Sequence, residues 1–206
     1  MKLYSYASSG NAYKVELALA QLGIPCDRIE VEIFRGEGQT PDYLRRNPTG
    51  RVPMLELDDG TCIVESNAIP WHLARGSRLV PAGALAQTQV LSWMFFEQNE
   101  VEPVLGSARF WKLTGRDRGR EDELERRIAQ GRRSLSVLET SLATRSFLVD
   151  DVYSIADIAL YAYTHLAGDV GIDLASYPAV SRWCASIEAQ DRFFTGPGPY
   201  TAAALV

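Results

Sequence analysis

The order of apolar and polar positions divides the chain into two regimes. Over residues 2–6, KLYSY, the side chains alternate as in a strand, with Leu3 and Ser5 facing one way and Tyr4 and Tyr6 the other. Ser8-Ser9-Gly10-Asn11 reads as a turn. Ala12, Val15, Leu19 and Leu22 then recur at helical spacing until Gly23 and Pro25 stop the helix. Residues 28–33, RIEVEI, alternate again. Leu55 and Leu57, the turn Asp58-Asp59-Gly60 and residues 61–64 predict a β-hairpin. Ser66 is placed to cap a helix running through Trp71 and Leu73. The predicted order is β-α-β-α-β-β-α.

The pattern changes after the Gly- and Pro-containing stretch GSRLVPAGALA at 76–86. Residues 87–112 are rich in Trp, Phe and Leu. Residues 121–143 place Leu124, Ile128, Leu135, Leu138 and Leu142 on one helical face. Residues 155–167 are almost wholly apolar, which predicts a buried central helix. Residues 178–190 form a last amphipathic helix, and PGPYTAAALV reads as an irregular tail. The expected architecture is an α/β domain at 1–77, a linker at 78–86 and an all-α domain at 87–206. No apolar run reaches the roughly 18 residues of a membrane span. Lys14 and Glu16 interrupt the N-terminal apolar stretch, which is too short for a signal peptide. A soluble cytoplasmic protein without membrane partners is the expectation.

Composition narrows the chemistry. The 206 residues are 46% hydrophobic, enough for two small cores. Cys26, Cys62 and Cys184 are far apart, and neither His72 nor His165 has a cysteine nearby, so no metal site is expected. Three scattered cysteines also make a poor disulfide framework, which suits a reducing compartment. The net charge of -5 argues against a nucleic-acid partner. The one local basic excess, eight basic against five acidic residues at 112–133, has the spacing of a solvated helix face.

Four short segments carry candidate chemistry. In Asn47-Pro48-Thr49-Gly50-Arg51-Val52-Pro53, Pro53 cannot donate a ladder bond and belongs at a strand's start or edge. A cis Val52-Pro53 bond, open to any X-Pro pair at modest cost, would turn the Val52 N–H and C=O outward to grip an extended peptide. A trans proline opening a strand is the plainer alternative. Glu65-Ser66 precedes a helix, whose free N–H groups and a serine hydroxyl suit a carboxylate, with Glu65 suited to an ammonium; a plain N-cap is the alternative. Ser8-Ser9-Gly10-Asn11 puts hydroxyls at a helix N-terminus, where an anion is stabilised. No histidine or GxSxG accompanies them, so a serine hydrolase is disfavoured. A hydroxyl there suits donation to a bound thiolate. One charge-assisted bond plus the helix end supplies about 2–4 kcal/mol, enough to lower a thiol pKa by one to two units. Ser154-Ile155-Ala156-Asp157 is a capping box, which makes Asp157 a folding residue worth about 0.5–2 kcal/mol.

With these segments in order, the chain resembles the cytosolic glutathione transferases over essentially its whole length. The likeness rests on LYSYASSGNAYKVELAL, NPTGRVPMLELDDG, CIVESNAI and FLVDDVYSIADIALYAY. It implies a thioredoxin-like N-terminal domain, an all-α helical-bundle C-terminal domain and, usually, a homodimer. It implies glutathione as co-substrate, with no metal, and a small hydrophobic electrophile as the second substrate, a detoxification chemistry. By the same resemblance Val52 pairs its backbone with the cysteinyl part, Glu65 and Ser66 hold the γ-glutamyl end, and Arg51 reaches the glycyl carboxylate. Gln39 or Arg35 serves at that glycyl end in place of the family's usual ligand, whose position Gly38 occupies. Ser9 aligns with the hydroxyl that activates the thiol, Asn11 with an asparagine near the sulfur in some bacterial members, and Ser8 is the alternative to Ser9. Trp93, Phe96, Phe110 and Trp111 are candidates to line the second-substrate site or, equally, to be core. Glu97 or Gln98 is the candidate to reach a partner's glutamyl ammonium. Two other outcomes stay open: a glutathione-dependent disulfide reductase and a non-catalytic glutathione-binding protein.

Overall fold

The computed structural model describes residues 1–206. Strand β1 (Lys2–Ser5) leads through a tight turn into α1 (Gly10–Leu22), which ends where Gly23 takes the left-handed conformation, φ 69°. Strand β2 (Asp27–Glu30) follows, then two short 3₁₀ turns and α2 (Pro41–Arg46). Strands β3 (Met54–Glu56) and β4 (Cys62–Val64) form the expected hairpin, and α3 (Ala68–Ala74) closes the first domain. The sheet order is β2-β1-β3-β4, with β1 and β2 parallel and the other pairs antiparallel. The register sets Leu3 opposite Leu55 and Leu55 opposite Ile63. That apolar row takes Val15, Leu19 and Ile69 from α1 and α3, as strand alternation and helical spacing require.

The second domain is helical, as its pattern predicts. Helix α4 (Ala84–Phe96) starts three residues earlier than the apolar periodicity suggests. It runs through a π-helical stretch (Glu97–Gly106) into α5 (Ser107–Thr114). Helices α6 (Glu121–Leu142), α7 (Ile155–Thr164) and α8 (Pro178–Glu188) complete it. Every residue of α7 is buried. The capping box is present: Ser154 Oγ accepts from the Ala156 N–H and Asp157 accepts from the Ser154 N–H. No helix is long and apolar enough to cross a membrane.

Helix α1 belongs to both cores. Val15 and Leu19 pack on the sheet, whereas Tyr13, Leu17 and Ala18 join the large cluster centred on α7. The tail is irregular apart from one 3₁₀ turn at Ala202–Ala204, yet it is tied to both domains. Gly198 N–H donates to the Ala7 carbonyl at 2.8 Å, and Val206 N–H to that of Thr114 at 3.1 Å. It therefore crosses the mouth of the groove between the domains.

Candidate active site

Ser9 holds the N-cap of α1, and its Oγ accepts from the Ala12 N–H at 3.1 Å. An acceptor lone pair is used there, so the hydroxyl proton remains free to donate. Ser8 differs. It is buried, and its hydroxyl donates to the Pro199 carbonyl in the tail. Tyr6 is likewise committed, its OH within 3.0 Å of Thr201 Oγ1. Two turns' worth of hydroxyls is thus reduced to one that faces open space.

The loop before β3 is held from inside. Asn47 is 1% exposed, and its Nδ2 donates to the Arg51 carbonyl at 2.7 Å, as does the Tyr43 hydroxyl. Its Oδ1 accepts from Thr49 N–H and Oγ. The Val52-Pro53 bond is cis, and the trans alternative falls. Neither the Val52 N–H nor its C=O makes a hydrogen bond within the chain. A short edge of unpaired backbone is the natural mate of an extended peptide.

After β4, Glu65 adopts φ 78°, a left-handed conformation unusual for a non-glycine residue. Its side chain is exposed. Ser66 does not cap the next helix: α3 begins at Ala68, with Asn67 at its N-cap position. The reason lies beneath it. The Lys14 ammonium is fully buried and needs acceptors for its three hydrogens. It donates to Glu97 Oε2 at 2.6 Å, Asn11 Oδ1 at 2.8 Å and Ser66 Oγ at 3.4 Å. Ser66 Oγ in turn donates to Asn11 Oδ1 at 3.1 Å. Asn67 Nδ2 donates to Glu97 Oε2 at 3.1 Å and to the Met94 carbonyl at 2.9 Å. Burial pulls Lys14 below the ordinary lysine value and pushes Glu97 above the ordinary carboxylate value, while each partner pulls the other back.

These segments enclose two adjoining pockets. The polar one brings Arg51, Val52, Pro53, Glu65, Ser66 and Asn11 together, with Asn47, Thr49, Gln98 and Glu102 beside them. The second is a cavity of about 590 Å³ between the domains, which Ser9, Asn11, Val52 and Gln39 line on one side. Its other side is aromatic. Phe110 stacks on Phe34 at 5.7 Å and meets Tyr200 of the tail at 5.6 Å. Tyr163 forms the floor, wedged where Gly10 and Gly106 leave room; a Cβ on either would lie under 3 Å from its ring. No three His, Cys, Asp or Glu side chains converge as metal ligands.

Several sequence-based candidates lie elsewhere. Trp93 and Phe96 pack edge to face at 5.4 Å against the helical core, the alternative open to each. Trp111 points away from the cavity and lies beneath the Arg120 and Arg127 guanidinium groups, 5.1 and 4.6 Å from its ring. Helical spacing sends neighbouring residues to different faces, so Phe110 lines the cavity and Trp111 does not. Arg35 is exposed and outside both linings, whereas Gln39 is within one. Glu97 is buried against Lys14 with no exposed surface, whereas Gln98 lines the polar pocket. None of the three cysteines borders either pocket. Lys14, Asn47, Glu102, Tyr163 and Tyr200 were missed. Only Lys14 carried a signal, a cation between the apolar positions Tyr13 and Val15.

Comparison with known proteins accounts for this arrangement. Residues 1–75 match the glutathione S-transferase N-terminal domain family model, and residues 97–191 match the C-terminal one. A possible glutathione S-transferase from Rhodopseudomonas palustris superposes with a TM-score of 0.91 at 45% identity, over 94% of this chain and 96% of that one. Ure2p in complex with glutathione superposes with a TM-score of 0.84 at 26% identity, over 93% and 90%. Glutathione S-transferase 4 of Zea mays is 29% identical over 199 residues, 92% of this chain and 88% of its own length. The chain also matches elongation factor 1-gamma of Artemia salina, of which it spans only 43%. Two family models on successive stretches, in the order of the two domains, make this chain a member of the glutathione S-transferase family.

Proposed function

We propose that the protein is a glutathione transferase that delivers the glutathione thiolate to a small hydrophobic electrophile. The tripeptide lies extended against the Val52 edge. Its γ-glutamyl end meets Glu65 and Ser66, and its glycyl carboxylate meets Arg51 and Gln39. This sets the sulfur between the polar and aromatic walls, beside Ser9 and Asn11. The observation that carries the reading is the Ser9 hydroxyl, whose acceptor side is occupied by Ala12 N–H and whose proton is free. A donor at a helix N-terminus favours a thiolate over a thiol, and a held thiolate is both nucleophilic and positioned. The electrophile occupies the space beneath Phe110, Phe34 and Tyr200. A homodimer belongs to the same reading. An apolar groove between α3 and α4, lined by Trp71, Leu91, Met94 and the two-thirds exposed Phe95, supports a second copy there. Three free cysteines suit a cytoplasmic setting.

Thiolate absorbance of bound glutathione tests the reading. Ser9→Ala raises the bound thiol pKa by about one to two units and lowers kcat, with little change in glutathione affinity. An unchanged titration removes Ser9 as activator. Parallel assays with a chloronitrobenzene and a hydroxyethyl mixed disulfide decide between alternatives. Turnover of the disulfide alone makes the protein a reductase that uses a second glutathione. Glutathione retention without turnover of either makes it a binding protein.

A further inference from the structure

The Lys14–Glu97 pair lies behind Asn11 and Ser66 and lines neither pocket. Asn11 makes it relevant. A carboxamide has an acceptor end and a donor end of the same shape, and an ammonium can only donate. With Lys14 and Ser66 both donating to Oδ1, the amide has one orientation. Its Nδ2 then has no acceptor within the chain and is not a buried atom, while Asn11 lines both pockets. Lys14 is itself held. Glu97 Oε2 anchors it from the second domain, Asn67 at the N-cap of α3 holds that same oxygen, and the Tyr163 ring lies 5.5 Å from Lys14 Nζ. The charges facing it are Glu97, Glu102 and Glu65.

We propose that Lys14 is a positioning residue for the sulfur site: its ammonium pins the Asn11 carboxamide with Oδ1 inward, so that Nδ2 is presented to the glutathione sulfur as a second donor beside Ser9. The inference rests on the proposed glutathione pose. The ammonium, without exposed surface, donates to Oδ1 at 2.8 Å, and a charged donor on the oxygen polarises the amide toward donation at Nδ2. Because Glu97 is contributed by the π-helical stretch, docking of the two domains is what completes the donor pair. Ser9 comes ready-made from one turn, whereas Asn11 becomes a directed donor only in the assembled molecule.

The test is the titration of glutathione bound to the full-length protein. Lys14→Met with Glu97→Met removes the pair together and leaves no lone buried charge. Its expected effect is a loss of about tenfold in thiolate fraction at neutral pH, with glutathione affinity within about threefold of wild type. Lys14→Arg restores the wild-type titration. Asn11→Leu added to the Met pair produces no further loss, since both act through one amide. A Met pair that binds glutathione with the wild-type titration overturns the proposal, as does an Asn11→Leu effect that adds in full. Should the Met pair not fold, Lys14→Gln takes its place. It is neutral and shorter, and is expected to lower the thiolate fraction about threefold; an unchanged titration overturns the proposal equally. Failure of the wild-type protein to bind glutathione is a different result and defeats the functional reading itself.

Discussion

Asp157 and Glu97 are both carboxylates with no exposed surface, and they are built in opposite ways. Asp157 sits in the helical core without a cation. Its oxygens accept from Leu148 N–H at 3.1 Å, Trp183 Nε1 at 2.9 Å, Ser154 N–H at 2.9 Å and Ser154 Oγ at 3.1 Å. Glu97 sits where the domains meet. One oxygen takes both Lys14 and Asn67, and the other, Oε1, has no partner. A saturated network makes a scaffold that specifies one packing. An ion pair with an unfilled acceptor, one side chain from the sulfur position, spends stability to hold a donor in place. The difference separates a folding residue from one that serves the site, although burial alone would have ranked them equal.

Breaking each carboxylate sharpens that contrast. The largest effect belongs to Asp157→Ala, which strands four donors and is expected to cost about 3–5 kcal/mol in denaturant unfolding. That exceeds the helix-capping value because Trp183 and Leu148 also depend on this carboxylate. Glutathione affinity of the folded fraction should not change. The pH dependence comes next. Burial pushes the Asp157 carboxyl up to about 6 from an ordinary 3.8, although four donors pull it down. Between those values the folded chain keeps a proton that the unfolded chain has lost. Stability therefore falls as pH rises from about 4 to about 6, by about 3 kcal/mol, and this slope disappears in Asp157→Asn.

Glu97→Gln should cost about 3 kcal/mol near neutral pH by leaving Lys14 uncompensated. The slope that Lys14 then contributes has the opposite sign to that of Asp157. Burial holds Lys14 below the ordinary lysine value, so the unfolded chain binds the proton more tightly and the variant regains stability as pH rises. Burial raises Glu97 as it raises Asp157, so their own titrations slope alike and the distinction lies in Lys14: a Glu97→Gln variant whose stability does not rise with pH would erase it. A smaller effect is expected for Phe110→Ala, which removes the ring stacked on Phe34. It should lower kcat/KM for an aromatic electrophile about tenfold and leave KM for glutathione alone. Smallest is Ser8→Ala. It loses one bond to the tail, worth about 1 kcal/mol, and leaves the bound-thiol titration where it was.

Much of the site was legible because its parts are local. The Ser9 cap, the Val52-Pro53 edge and Glu65 each sit within a few residues of the turn that orients them. Turn chemistry and proline restriction act at that range. Ser66 was misread because the cue for an N-cap is local, whereas its actual partner, Lys14, is 52 residues away. For Trp93, Phe96, Phe110 and Trp111 the sequence left wall and core equally open, for a related reason. Helical spacing tells which residues share a face but not which face meets the cavity. Tyr200 could not be found at all, since nothing in an irregular tail announces that it crosses the groove.

The chain by itself determined the element order, the two-domain architecture, the capping box at Ser154 and the hydroxyl at the first helix end. These follow from backbone and neighbour rules that need no distant contact. Tertiary structure decided which hydroxyl of Ser8-Ser9 is free, which aromatics face the cavity and what Lys14 does. The physical reason is α1, whose two faces pack into two different cores. Only when both are in place does a lysine that reads as a break in an apolar run become a buried cation, with Glu97 on one side and the Asn11 amide on the other.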